Sequence, residues 1–252
     1  METLASLTHY INRTLDCDRF DDYGPNGLQV QGKSEIQTLI SGVTASVAFL
    51  DAAIAAGADA VLVHHGYFWK GESPTITGMR HARISRLIKA DVSLLAYHLP
   101  LDAHIELGNN AQLGKQLGLL VESQHTVSGI QNLLWQGRLS VPMSADAFVK
   151  HVSDTLGRNV ISAGDSGRLI EKIAWCSGGA QRYIHEAAEL GCDAFLSGEI
   201  SEQTTHEARE LGLLYIAAGH HATERYGVQA LGAHLASQFA IDHRFINIDN
   251  PA

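Results

Sequence analysis

Ser41-Gly42-Val43-Thr44, then the amphipathic run Ser46–Ala56, then Gly57-Ala58-Asp59-Ala60-Val61-Leu62-Val63-His64-His65, carries the plainest fold signal in the chain. A β-branched run ending in small residues, a stretch of helix length and a Gly-x-Asp-Ala lead into a second apolar run make one βαβ unit. Outward from it, strands are expected at Thr38–Val43, Ala60–His64, Val92–His98, Lys172–Cys176, Ala194–Ser197 and Leu213–Ala217. Helices are expected at Ser46–Ala56, Met79–Ala90, Asn109–Leu117, Gln181–Leu190, Ser201–Leu211 and Thr223–Gln238. Strands that alternate with helices of this length predict an α/β protein with mainly parallel sheets and right-handed crossovers. Between Ser123 and Asp165 the texture changes, and shorter runs such as Asn132–Val141 read as hairpin strands beside a helix near Ala145–Leu156.

The passage has a counterpart. Ser177-Gly178-Gly179-Ala180 precedes a helix and Gly191-Cys192-Asp193-Ala194-Phe195-Leu196-Ser197-Gly198-Glu199, with a spacing that differs by two residues. Any βαβ unit reuses glycine caps and apolar strands, so duplication and coincidence both stay open. Either way the chain is expected to form two α/β lobes, residues 1–122 and 123–252, with the C-terminal helix free to pack back on the first.

Composition narrows the class. At 252 residues, 45% apolar and 18% charged, the chain can bury full cores and is not expected to be disordered. No run approaches the length of a membrane span, and Met1–Tyr10 lacks a signal-peptide pattern, so a cytoplasmic protein is expected. Cys17, Cys176 and Cys192 are odd in number and have no CxxC spacing, which fits neither a disulfide framework nor a thiolate zinc site. Eighteen basic against 27 acidic residues leave a net charge of −9, which argues against capture of nucleic acid by the bulk surface field.

Fourteen histidines are many for this length, and six stand in groups: His64-His65, His98 with His104, and His220-His221. Imidazole is the commonest protein ligand of transition metals, so the grouping points to metal chemistry. In open α/β sheets functional groups collect beyond the carboxyl ends of the strands. His64 and His65 end one expected strand, Asp102 follows a second, and His220 follows a third. His220 and Glu224 are four apart and would share a face of a helix starting there. Adjacent His64 and His65 point to opposite sides of a regular strand, but at an irregular strand end each could reach its own ion, which favours two ions over one. A polar core pair and a solvated His/Glu pair remain the plain alternatives.

Softer features surround this set. Glu199 is a candidate acid or base at the same crevice, or a helix cap, and His98, His104 and His221 are read either as groups that orient ligands or as polar loop residues. Gly178-Gly179 suits either a phosphate cradle or a tight turn. Arg80, Arg83, Arg86 and Lys89 recur every three residues as a basic stripe, read as a solvated face or as a dock for substrate phosphates or a neighbouring subunit. Tyr23-Gly24-Pro25-Asn26-Gly27 reads only as a turn.

Taken in order, Asp22-Tyr23-Gly24-Pro25-Asn26-Gly27-Leu28-Gln29-Val30, Gly42-Val43-Thr44-Ala45-Ser46, Val63-His64-His65-Gly66, His98-Leu99-Pro100-Leu101-Asp102, Gly108-Asn109-Asn110, Ser197-Gly198-Glu199 and Gly219-His220-His221-Ala222-Thr223-Glu224 span nearly the whole chain. The series resembles the GTP cyclohydrolase 1 type 2 homologue family, the Nif-three-like proteins, and particularly its short bacterial YbgI form. That resemblance implies two α/β lobes with a dinuclear metal centre between them and a ring-shaped homohexamer. It implies two divalent ions per chain (zinc, iron, manganese or nickel): one on His65 and Asp102, the other on His64 and His220, with Glu224 bridging. The expected activity is a metal-dependent hydrolase of a nucleotide or related purine compound, with Glu199 or His98 moving protons. A metal-handling protein without turnover, or a ring-shaped damage-response or nucleic-acid-associated factor, are the competing readings.

Overall fold

The computed structural model of the chain describes residues 2–164 and 167–252, so the expected end of the middle segment at Asp165 lies outside the described residues. The protein is α/β, as the alternation predicts. It divides into two compact units: Met1–Leu101 with Gly227–Asp249, and Asp102–Tyr226 with Asn250–Ala252.

The first unit holds a five-stranded sheet in the order Asp242–Phe245, Thr38–Thr44, Ala60–His65, Ser93–Ala96 and Gly27–Val30. The first four strands are parallel and the last runs antiparallel. The helix Val47–Ala55 begins where the Ser46 hydroxyl accepts from Phe49 N–H, satisfying one of the amides left over at a helix start. With helix Gly78–Ala90 it contributes Phe49, Leu50, Ala53, Ile84 and Leu87 to one core with Val61, Val63 and Leu94. Each large side chain buried there is worth about 1.5–3 kcal/mol. A helix with no counterpart among the expected elements spans Leu4–Thr14. Its buried Leu4, Leu7 and Ile11 stand at i, i+3 and i+7, a helical face legible in the sequence.

The second unit holds a six-stranded sheet in the order Leu120–Val127, Ile130–Ser144, Leu169–Trp175, Ala194–Ser197, Leu214–Ala217 and Ile161–Ala163. The Leu169, Ala194 and Leu214 strands are parallel, and the outer ones antiparallel. Ser128 and Gly129, at φ 50° and 77°, make the two-residue turn of the expected hairpin. Helix Ala145–Leu156 lies where it was expected, capped by the Ser144 hydroxyl and closed by Gly157 at φ 68°. One core gathers Leu113, Trp135, Phe148 and Trp175, and another Leu134, Phe195 and Tyr215.

The division falls after Leu101, not at the expected boundary of 122/123. Helix Asn109–Gln116 explains the difference: Leu113 joins the Trp135 and Trp175 core, and Trp175 Nε1 donates to Asn110 O at 2.9 Å. Residues before the hairpin are therefore committed to the second unit's core. Among the described residues, no helix is long and apolar enough to cross a membrane.

Candidate metal centre

In the first unit, His64 and His65 close the strand Ala60–His65. Their ring centroids are 4.6 Å apart, far closer than alternating side chains of a flat strand would stand, so the strand end turns both toward one side. His98, just past strand Ser93–Ala96, joins them: the three residues offer ring nitrogens within 4.8 Å of one another.

Each imidazole is held from behind. His64 is buried, and its Nδ1 meets Tyr97 O at 2.9 Å; a carbonyl only accepts, so Nδ1 carries the proton and Nε2 the lone pair of the neutral ring. His65 Nδ1 lies 3.2 Å from the Thr44 hydroxyl. His98 Nδ1 lies 2.7 Å from Asp22 Oδ1, while Asp22 Oδ2 accepts from Leu99 N–H and Asn26 Nδ2. Burial works to raise the Asp22 carboxyl, but the hydrogen bond and charge of His98, with Asn26 and the Leu99 amide, outweigh it and hold the group below the usual carboxylate range. The Tyr23–Gly27 turn thereby acquires a purpose: Asn26 Oδ1 also accepts from His98 N–H at 2.7 Å. A cavity of about 10 Å³, room for one water, is lined by His64, His98, Asn26, Gln29 and Trp69.

In the second unit, Asp102 and Glu224 are 6% and 3% exposed, and each offers a carboxylate oxygen within 4.8 Å of the other's. Asp102 Oδ1 accepts from Asn109 Nδ2 at 2.8 Å and from the Ser177 hydroxyl at 3.1 Å. Asn110 ties the set together, donating to Asp102 O and accepting from Ser177 N–H. His220 Nε2 lies 3.2 Å from Glu224 Oε2, and its Nδ1 lies 2.7 Å from Glu199 Oε1. Burial opposes the imidazolium, yet the hydrogen bonds and charges of Glu224 and Glu199 together push the His220 pKa up to about 9.

His220 and Glu224 do not share one unbroken helix, as their spacing suggested. A short helix His220–Thr223 ends at Glu224, and a new helix starts at Arg225. Gly178, at φ 65°, makes the approach of Glu224 feasible: a Cβ there would sit 2.3 Å from Glu224 Oε1 and 3.3 Å from His220 Nε2. Its amide donates to the Thr223 hydroxyl, so Gly178 is a close-approach turn and not a phosphate cradle.

The profile of the Duf34/NIF3 (NGG1p interacting factor 3) family matches residues 2–251. The chain belongs to the Duf34/NIF3 family. A relative from Allochromatium vinosum, named GTP cyclohydrolase 1 type 2 homolog, is 58% identical over 100% of this chain and 98% of its own. A Pseudomonas aeruginosa protein of the same name is 55% identical over 99% and 98%. A solved structure described as protein ybgI, of unknown function, superposes with a TM-score of 0.95 at 48% identity, covering both chains fully.

Within this Duf34/NIF3 chain, imidazoles alone make up the first cluster and carboxylates with an imidazole the second, a donor set that suits zinc, iron, manganese or nickel. Two carboxylates buried this close repel unless a cation compensates them, which is a second reason the residues fit a metal. Asp22, Thr44, Asn109, Asn110 and Ser177 escaped the residue-by-residue reading as supporting groups, although all but Ser177 lie in stretches that carry the family resemblance. Glu199 sits behind His220, while His104 Nδ1 accepts the amides of Glu106 and Leu107 and closes a turn. His221, buried, directs its backbone N–H to Ala252 O. The basic stripe is largely engaged. Arg80 binds Glu72 and Ser73 O, Arg86 binds Asp51 and Ala82 O, and Arg83 lies over the Tyr67 ring.

Proposed function

We propose that the protein is a divalent-metal-dependent hydrolase whose substrate is a nucleotide or related purine compound. The observation that carries it is the pair of buried carboxylates, Asp102 and Glu224, beside an imidazole whose far nitrogen is held by Glu199. His64, His65, Asp102, His220 and Glu224 would hold two divalent ions. Such ions supply Lewis acidity and make hydroxide accessible near neutral pH. The purine substrate is supported by the relatives' name, GTP cyclohydrolase 1 type 2 homolog.

This chain's own groups suit the remaining tasks. His98, its Nδ1–H directed to the Asp22 carboxylate, keeps Nε2 as the nitrogen that takes up and returns a proton, as in other carboxylate-oriented imidazoles. The hydrogen bond from His220 Nδ1 to Glu199 supports a positioning role for Glu199 in preference to proton transfer. Cytoplasmic placement belongs to the same proposal and is supported by Cys17, Cys176 and Cys192 as free thiols.

Metal-loaded protein incubated with GTP and a panel of modified nucleotides should release a chromatographically distinct product, and His65→Ala and Glu224→Ala should each abolish it. Nucleotides left intact while the bound metal passes readily to an acceptor would replace the hydrolase by a metal-handling role.

A further inference from the structure

The first part of the loop after His65, from Tyr67 to Ser73, is held by several contacts. Gln29 grips it at Tyr67, accepting from its N–H at 2.7 Å and donating to its C=O at 3.2 Å. Lys70 N–H donates to Tyr23 O, and Lys70 Nζ pairs with Asp21. Arg80 binds Glu72 and Ser73 O and lies 5.7 Å from the centroid of the Phe68 ring. Phe68 itself adopts φ 66°, a left-handed conformation that a bulky residue avoids unless its surroundings impose it.

This fastening presents Trp69 to the histidine cluster. Its ring centroid is 5.0 Å from that of His98 at 82°, and 6.1 Å from that of His65. One face of the benzo ring is backed by Gly24, where a Cβ would lie 3.1, 3.5 and 3.6 Å from Cε3, Cζ3 and Cδ2. The half-buried indole is thus a rigid plane, supported on one face, at the rim of the candidate centre.

We infer that Trp69 is the platform on which the heteroaromatic ring of the substrate stacks, so that the site selects compounds carrying a nucleobase over sugar phosphates that lack one. The inference rests on the proposed nucleotide substrate and deepens it. Stacking suits the task because every base offers a π-face, whereas the fastened loop loses no freedom when one arrives. Arg80 and Gln29 act through Trp69 as positioning residues.

Intrinsic fluorescence tests this directly. Of the three tryptophans, Trp135 and Trp175 are 2% and 0% exposed, so quenching by an added ligand reports on Trp69. Metal-loaded protein titrated with guanosine should show saturable quenching, and ribose 5-phosphate should cause none. Trp69→Leu should lose the quenching and bind guanosine about tenfold or more weakly by calorimetry. Trp69→Phe should recover part of that affinity, and both variants should bind metal as the parent does. In turnover, Trp69→Leu should raise KM far more than it lowers kcat. Absence of quenching, or equal guanosine affinity in Trp69→Leu, overturns the inference. Turnover without quenching would overturn the platform and leave the hydrolase standing, whereas quenching without turnover would support the platform and remove the hydrolase.

Discussion

Glu199 Oε1 accepts a hydrogen bond from His220 Nδ1 at 2.7 Å, on the opposite side of the ring from Glu224. A carboxylate in this position fixes the ring's orientation and raises the basicity of the nitrogen that faces a metal. Glu199→Gln keeps the shape and removes the charge. Metal affinity should fall about 10–100-fold with the circular dichroism spectrum unchanged. An equilibrium metal titration reads this, and unaltered affinity would remove Glu199 from the site.

The same ring couples metal binding to pH. In the metal-free protein, Glu224 and Glu199 outweigh burial and raise His220 from 6.5 to about 9, so a cation arriving near pH 8 displaces a proton from it. Calorimetry in two buffers of different ionisation heat should detect proton release near pH 8 that fades above about pH 9. The sign for stability is the reverse of a carboxylate's. A raised folded pKa gives the metal-free protein a contribution complete below 6.5 and lost as pH rises through about 9. Proton release that does not change across this range would sink the assignment.

Gly178→Ala places a methyl group 2.3 Å from Glu224 Oε1 on a backbone at φ 65°. The strained conformation alone costs about 1–3 kcal/mol, to be read as a lowered denaturation midpoint in urea. Because the carboxylate must also move, added metal should stabilise this variant much less than the parent.

Asp59 and Asp193 predict a matched pair of losses. Asp59 Oδ2 accepts from the Gln37 and Thr38 amides, with Lys33 on Oδ1 at 2.7 Å. Asp193 Oδ2 accepts from the Glu171 and Lys172 amides, with Arg168 near Oδ1 at 3.4 Å. Replacing either by Ala leaves two backbone donors short of an acceptor and should cost about 1–3 kcal/mol in urea unfolding. Burial tends to raise the Asp59 carboxyl, but Lys33 and the two amides hold it below its ordinary 3.8. Its contribution is therefore present above that value and lost as pH falls through the folded pKa, a loss that Asp59→Ala should not show.

These two aspartates also show how far the repeat could be read from residues alone. Aligning Ser41-Gly42-Val43-Thr44 with Ser177-Gly178-Gly179-Ala180 leaves the spacings two residues apart. Hydrogen bonding removes the discrepancy: Asp59 N–H donates to Thr38 O and Asp193 N–H to Lys172 O, the same separation of 21 residues in both. Parallel pairing fixes register through the backbone, and small residues at a strand's end do not mark it.

The alternation of short apolar runs with amphipathic stretches was enough to establish the α/β class, because side-chain period follows from local backbone geometry and needs no partner. The grouping of histidines near strand ends was likewise visible, since parallel strands deliver their carboxyl ends to one edge. Long-range packing supplied the rest. It brought Asp22 to His98 across 76 residues and Ser177 to Asp102 across 75, and it broke the helix at Glu224 so that the carboxylate came to rest over Gly178. Such contacts join groups far apart in the chain, and their energies depend on burial and mutual distance, which no local pattern of residue types contains.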